Sequence, residues 1–262
     1  MELSLDDITV HYEMDGPDEA PVIACSHCLA GDLRVWDEQV DALRRKYRVL
    51  RYDARGHGRT SAPKGPYTLE LLAADLIGLL DGLAISRAHI MGISMGGMVA
   101  QTLALMRPER ILSLILCDTT ASMPKEHAPL WEERIQTAEQ GGMAALAGAT
   151  LDRWLSADFQ KNHPERTRQI MEIVTNTPVP GFAGSARAIS RLEMMAELNR
   201  IHLPTLVMVG EHDPGTPVES ARQIQEQIPD ARLEVLPGAY HLSNIEAASA
   251  FNGHLLNFLE KF

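Results

Sequence analysis

The feature that most constrains this chain is a recurrent short apolar run that does not alternate with polar residues. "PVIACSH" (21–27), "RVLRYDA" (48–54), "AHIMGI" (88–93), "ILSLILCDT" (111–119) and "PTLVMVG" (204–210) all have this form. A strand with one wet face alternates apolar and polar residues, whereas a strand covered on both faces has no polar side to show. Only "ITVHYEMDG" (8–16), ahead of these runs, alternates. Between them lie helical patterns: "TLELLAADLIGLLDGL" (68–83) carries apolar residues at three- and four-residue spacing, and "MGGMVAQTLALM" (95–106) follows a strand directly. The helix "PVESARQIQEQI" (217–228), the strand "RLEVLP" (232–237) and a last helix over 245–262 continue the rhythm. Such alternation predicts an α/β fold, a mostly parallel sheet flanked by helices.

One interval breaks the rhythm. Residues 121–199 contain no strand signal and read as helices, over "APLWEERIQTAEQGG", "MAALAGATLDRWL", "PERTRQIMEIVTN" and "GFAGSARAISRLEMM". That is far too long for a connection inside a compact sheet. The expectation is a core formed by 1–120 and 200–262, with 121–199 inserted as a helical cap over the strand ends. Ligands bind at the carboxyl ends of such strands, so a lid there would close over them.

Composition excludes several classes. A formal charge of −11 without a basic stripe argues against a nucleic-acid partner. No apolar run approaches the roughly 18 residues of a membrane span. The acidic, alternating start lacks the basic-then-apolar form of a secretory signal, so a cytoplasmic, reduced location is expected. Cys25 and Cys28 form a C-x-x-C, "CSHC". No second cysteine pair or H-x₃-H accompanies it, so neither a zinc nor a redox site is expected.

The chemistry concentrates at "GISMGG" (92–97), where a buried strand hands over to a helix. A G-x-S-x-G match alone is weak, but strand, sharp turn and helix are the setting in which such a serine is held out as a nucleophile. Gly92 and Gly96 would let strand and helix approach, and the helix from Met95 would aim its amides and dipole at the surroundings of Ser94. A serine hydroxyl needs a base. His241, in "LPGAYHLSNIE" between the last strand and last helix, has the best setting. The base needs a carboxylate to fix its tautomer. Asp213 in "GEHDPGTP" and Asp118 in "LCDTT" both follow strands. The Gly- and Pro-bounded turn favours Asp213, leaving Asp118 to a cap hinge or a helix cap.

Taken together, "RYDARGHGRT", "GISMGG", "GEHDPGTP" and "GAYHLSNIE", in that order along nearly the whole chain, resemble the α/β-hydrolase superfamily. Within it, "HYEMDGPDEAPVI", "GPYTLELLAADLIGLLD", "GISMGGMVAQ", "WEERI" and "HLSNIEAASAF" are similar to the 3-oxoadipate enol-lactonases. The resemblance implies an α/β-hydrolase fold with a helical cap, the nucleophile at Ser94, the acid at Asp213 and the base at His241. By position it places the oxyanion donors at the amides of Leu29 and Met95. Where many superfamily members have His-Gly, this chain has His27 and Cys28, with Trp36 in register; enol-lactonases also tend to lack that glycine. Asp53 and the glycines of "YDARGHG" look like turn scaffolding.

The resemblance implies opening of an enol-lactone that carries a carboxylate, through an acyl-enzyme and without a cofactor or metal. Burying the substrate's charge calls for a cation in an apolar pocket. Arg134 and Arg153, beside Trp131 and Trp154, are the cap candidates, against the plainer reading of surface arginines paired along their own helices. The expected partner is therefore a small lactone or ester, anionic, with neither nucleic acid nor membrane. A broad carboxylesterase or perhydrolase, a carbon–carbon bond hydrolase of ring-cleavage products, and a ligand receptor with little turnover are the rival readings.

Overall fold

The computed structural model describes residues 1–262. Strands β1 (Glu2–Ser4), β2 (Thr9–Asp15), β3 (Val22–Ser26), β4 (Arg48–Tyr52), β5 (Ala88–Ile93), β6 (Ile111–Cys117), β7 (Thr205–Gly210) and β8 (Arg232–Leu236) form one sheet. Their order is β1-β2-β4-β3-β5-β6-β7-β8, so the chain starts at one edge, crosses back once, and then proceeds outward. β1 and β2 pair antiparallel, β2 pairs antiparallel with β4, and all later pairings are parallel. Every residue of β3, β5 and β7 is buried, which is why those runs carry no polar alternation. β8, at the far edge, is only partly covered, and its "RLEVL" mixes charged and apolar residues accordingly.

Helices α1 (Asp37–Leu43), α2 (Leu69–Gly82) and α3 (Met95–Met106) connect the strands of the first half. α2 starts where the Thr68 hydroxyl accepts a hydrogen bond from the Leu71 amide at 3.1 Å, satisfying one of the orphan amides of its first turn. Its apolar stripe (Leu69, Leu72, Leu76, Leu79, Leu80) is buried. Between β6 and β7 come α4 (Ala128–Gly141), α5 (Ala144–Trp154), α6 (Ala157–Asn162), α7 (Pro164–Asn176) and α8 (Val179–Ile189). α4 packs on α5 and α8, and α5 on α7. The chain leaves and re-enters the sheet side by side through an antiparallel bridge between Ser122 and Glu193, flanked by Met123 N–H to Leu192 O and Met194 N–H to Ala121 O, both 2.9 Å. α9 (Val218–Gln227), α10 (Ser243–Glu246) and α11 (Ala248–Leu259) complete the core. No helix is long and apolar enough to cross a membrane.

Several boundaries differ from the sequence expectation. β1, α1 and α6 are additional elements, each too short for a periodic signal. The pattern over 181–195 is helical only to Ile189, after which the chain turns into the bridge at Glu193. The last helix is interrupted at Ala247, whose φ of −114° and ψ of 38° lie outside the helical region.

Backbone segments pack without room for a side chain at the β5–α3 turn. A Cβ added at Gly96 would stand 2.0 Å from the carbonyl oxygen of Ser26 on β3, and one at Gly92 would stand 2.1 Å from Gly96 O. Both obstacles are backbone and cannot rotate away. Gly96→Ala is therefore expected to destabilise the fold by at least the roughly 1–3 kcal/mol that overpacking costs. Urea unfolding measures this, and a midpoint equal to the parent's would contradict the packing argument.

Candidate active site

Ser94 sits between β5 and α3 with φ 56° and ψ −116°, a conformation that costs an L-residue of order 1–3 kcal/mol. Its neighbours hold it there. The Ser94 amide donates to Cys117 O at 2.9 Å, and its carbonyl accepts from the Thr119 hydroxyl at 2.7 Å and the Met98 amide at 3.1 Å. Its hydroxyl makes no cap bond to α3. Instead Ser94 lines a cavity of about 100 Å³ together with Leu29, Met98, Met123, Trp131, Arg134, Arg153, Trp154, Ile189 and His241. A wider groove of about 450 Å³ runs between α2, α3 and the segment after α8, but holds none of Ser94, Asp213 or His241.

His241 is nearly buried, and its Nδ1 lies 2.8 Å from Asp213 Oδ2. Asp213 also accepts from the Gly215 amide (2.7 Å), the Thr216 amide (3.1 Å) and the Thr216 hydroxyl (2.6 Å). Such a set of donors is satisfied by an ionised carboxylate. It fixes the tautomer with Nδ1 as the donor, leaving Nε2 as the free acceptor. Burial raises the Asp213 pKa, but the His241 charge and the hydrogen bonds outweigh it and hold the carboxyl below the usual 3.8. Burial likewise opposes the imidazolium, but the Asp213 carboxylate overcomes it and holds His241 above 6.5.

The loop beside Ser94 is built by a second histidine. His27 is fully buried; its Nδ1–H donates to Cys28 O at 2.8 Å and its Nε2 accepts from the Ala54 amide at 2.9 Å. Ala30 follows with a φ of 61°. The resulting turn leaves the Leu29 amide without a hydrogen-bond partner in the protein. Met95 opens α3, where first-turn amides have no intrahelical acceptor. Asp53 braces the same region, accepting from Leu33 N, Arg59 N and His11 Nδ1 at 2.8–2.9 Å. Cys28 is fully buried and its thiol is pushed far up by burial, so no thiolate is available there. Cys25 is pushed up to about 12 for the same reason. No cluster of His, Cys, Asp or Glu that could hold a metal ion is present.

The inserted helices supply the cavity's roof. Trp131 and Arg134 come from α4, Arg153 and Trp154 from the end of α5. The expectation that these arginines pair along their own helices is not met: neither has a carboxylate within 4.0 Å, unlike the exposed Arg168, Arg187 and Arg200. The Arg134 guanidinium lies 4.6 Å from the centre of the Trp131 ring and 5.9 Å from that of Phe182, and its Nε has no partner. Burial, followed by the like charge of Arg153, lowers its pKa to about 10. Asp118 takes neither the acid's place nor that of a helix cap: its carboxyl accepts from the Gly210 amide at 2.8 Å and contacts the Ser243 hydroxyl at 2.5 Å. Sequence reasoning gave neither Asp118 this place nor His27 its role in the loop, because both depend on partners far away in the chain.

A family model described as alpha/beta hydrolase fold matches residues 21–248, and the chain belongs to that family. Over 260 residues it is 34% identical to 3-oxoadipate enol-lactonase 2 of Acinetobacter baylyi, covering 99% of this chain and 96% of that protein. Among solved structures, the enol-lactonase from Burkholderia xenovorans LB400 matches with a TM-score of 0.95 and 39% identity, over 99% of this chain and 100% of that one. A hydrolase from Pseudomonas aeruginosa PA01 matches equally well in shape, with 40% identity over 99% and 97% of the two chains.

Because the folded pKa of His241 is raised, its protonated form stabilises the fold. That contribution is fully present below pH 6.5 and is lost as pH climbs through the raised value. NMR titration of the His241 ring should give a midpoint above 6.5, and Asp213→Asn should move it downward, since burial then acts with less opposition. An unchanged midpoint in that variant would show that the pair is not electrostatically coupled.

Proposed function

We propose that this protein is a serine hydrolase that opens a carboxylate-bearing lactone, with 3-oxoadipate enol-lactone in aromatic catabolism as its substrate. The observation that carries the proposal is a single small cavity. In it a strained serine and a carboxylate-oriented imidazole face two arginines that have no anionic partner within the protein. The similarity to enol-lactonases supports the same reading.

In this scheme Ser94 Oγ attacks the lactone carbonyl while His241 Nε2 takes its proton, and Asp213 stabilises the imidazolium. The Leu29 and Met95 amides stabilise the tetrahedral oxyanion. His241 then gives the proton to the departing oxygen. That oxygen leaves as an enol, which becomes a ketone, and it is a better leaving group than a simple alkoxide. A water deprotonated by His241 attacks the acyl carbonyl, and Ser94 is released. The lactone's own carboxylate lies against Arg134 and Arg153, which fixes the ring's orientation before attack. The cavity is smaller than the roughly 300–1,000 Å³ of drug-sized ligand pockets, which suits a compact ring. 121–199 acts as the cap that excludes water from it.

Two measurements test the scheme. Ser94→Ala should lower kcat by at least roughly 10⁴-fold without changing the fold, and retained turnover rejects the nucleophile. Arg134→Ala should raise KM for an anionic lactone by roughly 10–100-fold, the loss of a charged hydrogen bond, while a neutral ester of similar size changes little. If the purified enzyme prefers neutral aryl esters from the start, the carboxylesterase reading replaces the lactonase one.

A further inference from the structure

Asp118 is fully buried at the end of β6, forms no ion pair with a lysine or arginine, and takes no part in the scheme above. Its two hydrogen bonds nevertheless lead to both partners of Ser94. Oδ1 accepts from the amide of Gly210, the last residue of β7. The carbonyl of that same Gly210 accepts from the Asp213 amide at 3.2 Å. Oδ2 meets the hydroxyl of Ser243, two residues after His241 and the first residue of α10. The backbone at Asp118 is itself held in an unusual conformation, φ 43°, which turns the side chain out of the strand line.

We infer that Asp118 is a positioning residue that sets the separation of the acid and base loops, one carboxyl oxygen tied to each. This rests on the assignment of Asp213 and His241 as acid and base. The physical need is clear from the loops' own attachments. His212 N–H donates to Ala239 O at 2.9 Å and Glu211 N–H to Leu236 O at 3.0 Å, so the two loops also touch upstream of the pair. Downstream of it, the Asp118–Ser243 contact is the tie that joins the base loop to β6. The 2.8 Å contact between Nδ1 and Oδ2 weakens steeply if either loop drifts by half an ångström or so.

The role requires two hydrogen bonds rather than a charge. A carboxyl group with no exposure, two donors and a neighbouring carboxylate gains little from ionising; burial and Asp213 both push its proton affinity up. The other groups facing this cluster are His241, whose charge acts in the opposite sense, and the neutral thiols of Cys28 and Cys117. Asparagine can reproduce both contacts, its oxygen accepting from Gly210 N–H and its amide donating to Ser243 Oγ.

The test compares Asp118→Asn, Asp118→Ala and Ser243→Ala, with kcat, KM and the pH dependence of kcat/KM measured on one lactone. Asp118→Asn should keep kcat within about threefold of the parent and leave the acidic limb of the profile unmoved. Asp118→Ala should lower kcat by roughly 10–100-fold with KM nearly unchanged, and shift the acidic limb to lower pH as the Asp213–His241 contact loosens. Ser243→Ala, which removes one tie and leaves Asp118 in place, should lose about a third to a half of that effect on a logarithmic scale. This variant keeps the question open to refutation if the alanine at 118 does not fold. Equal losses in the Asn and Ala variants at 118 would overturn the inference in favour of a role for charge. Parental kcat in Ser243→Ala would overturn it outright. A failure of the acid–base assignment is distinguishable, since Asp213→Asn would then also retain kcat.

Discussion

The structure depends on how closely three backbone segments approach one another at the β5–α3 turn. α3 can lie over β3 and β5 only because Gly92 and Gly96 present no side chain at contacts where a Cβ would fall about 2 Å from a carbonyl oxygen or carbon. That approach has two consequences at once. It leaves Ser94, between the glycines, on the outside of a turn too sharp for relaxed backbone. It also brings the N-terminus of α3 beside the loop after β3, whose Leu29 lines the same cavity as Ser94. Packing and chemistry are therefore one constraint here. A residue that relaxed the turn would also withdraw the hydroxyl.

Around that turn the electrostatics divide by depth. Below Ser94 the carboxyls are heavily committed: Asp213 to His241 and three other donors, Asp53 to Leu33, Arg59 and His11. Above it, Arg134 and Arg153 have no protein anion. A partly buried, unpaired guanidinium is unfavourable for a fold to retain, and cation–π contact with Trp131 offsets only part of that cost. The protein as a whole carries a formal charge of −11, so carboxylates were available to pair with these two. Their absence from this roof is what the proposal of an anionic substrate rests on.

Much of this was legible in the sequence because it depends on local pattern. Fully apolar runs mark strands covered on both faces, and Gly-x-Ser-x-Gly after such a run marks the turn. A turn rich in Gly and Pro after β7 and the histidine after β8 stand in chain order. What was not legible depends on distant partners. The pairing state of Arg134 could not be read from "WEERI", where glutamates adjoin it in sequence, because α4 turns those glutamates to solvent and the arginine inward. Likewise "HCLAG" reads as a departure from His-Gly. Only the fold reveals that His27 uses both ring nitrogens to shape the turn, and that Ala30 takes the positive φ. Short elements such as β1 and α6 escaped for a simpler reason: with three and six residues they contain fewer than two full periods of their patterns, too few for a repeat to show.

The inserted helices also bear on how the cavity opens, since they are not attached evenly. α5 and α6 are tied to the base loop: Leu242 N–H donates to Trp154 O, and the Glu246 carboxylate bridges the amides of Ser156 and Tyr240. α7 is clamped to the core by the bidentate Arg166–Glu38 pair at 2.8 Å. α4 has no comparable bond to the core, and is linked to α8 by the exposed pair of Glu139 and Arg187. Side-chain hydrogen bonds and a well-aligned ion pair resist displacement more than exposed pairs do. Arg153 and Trp154 therefore ride on the segment that is fixed with respect to His241, whereas Trp131 and Arg134 ride on the freer one. On the proposed function, an anion bridging the two arginines would add the missing tie between α4 and the segment held on the base loop.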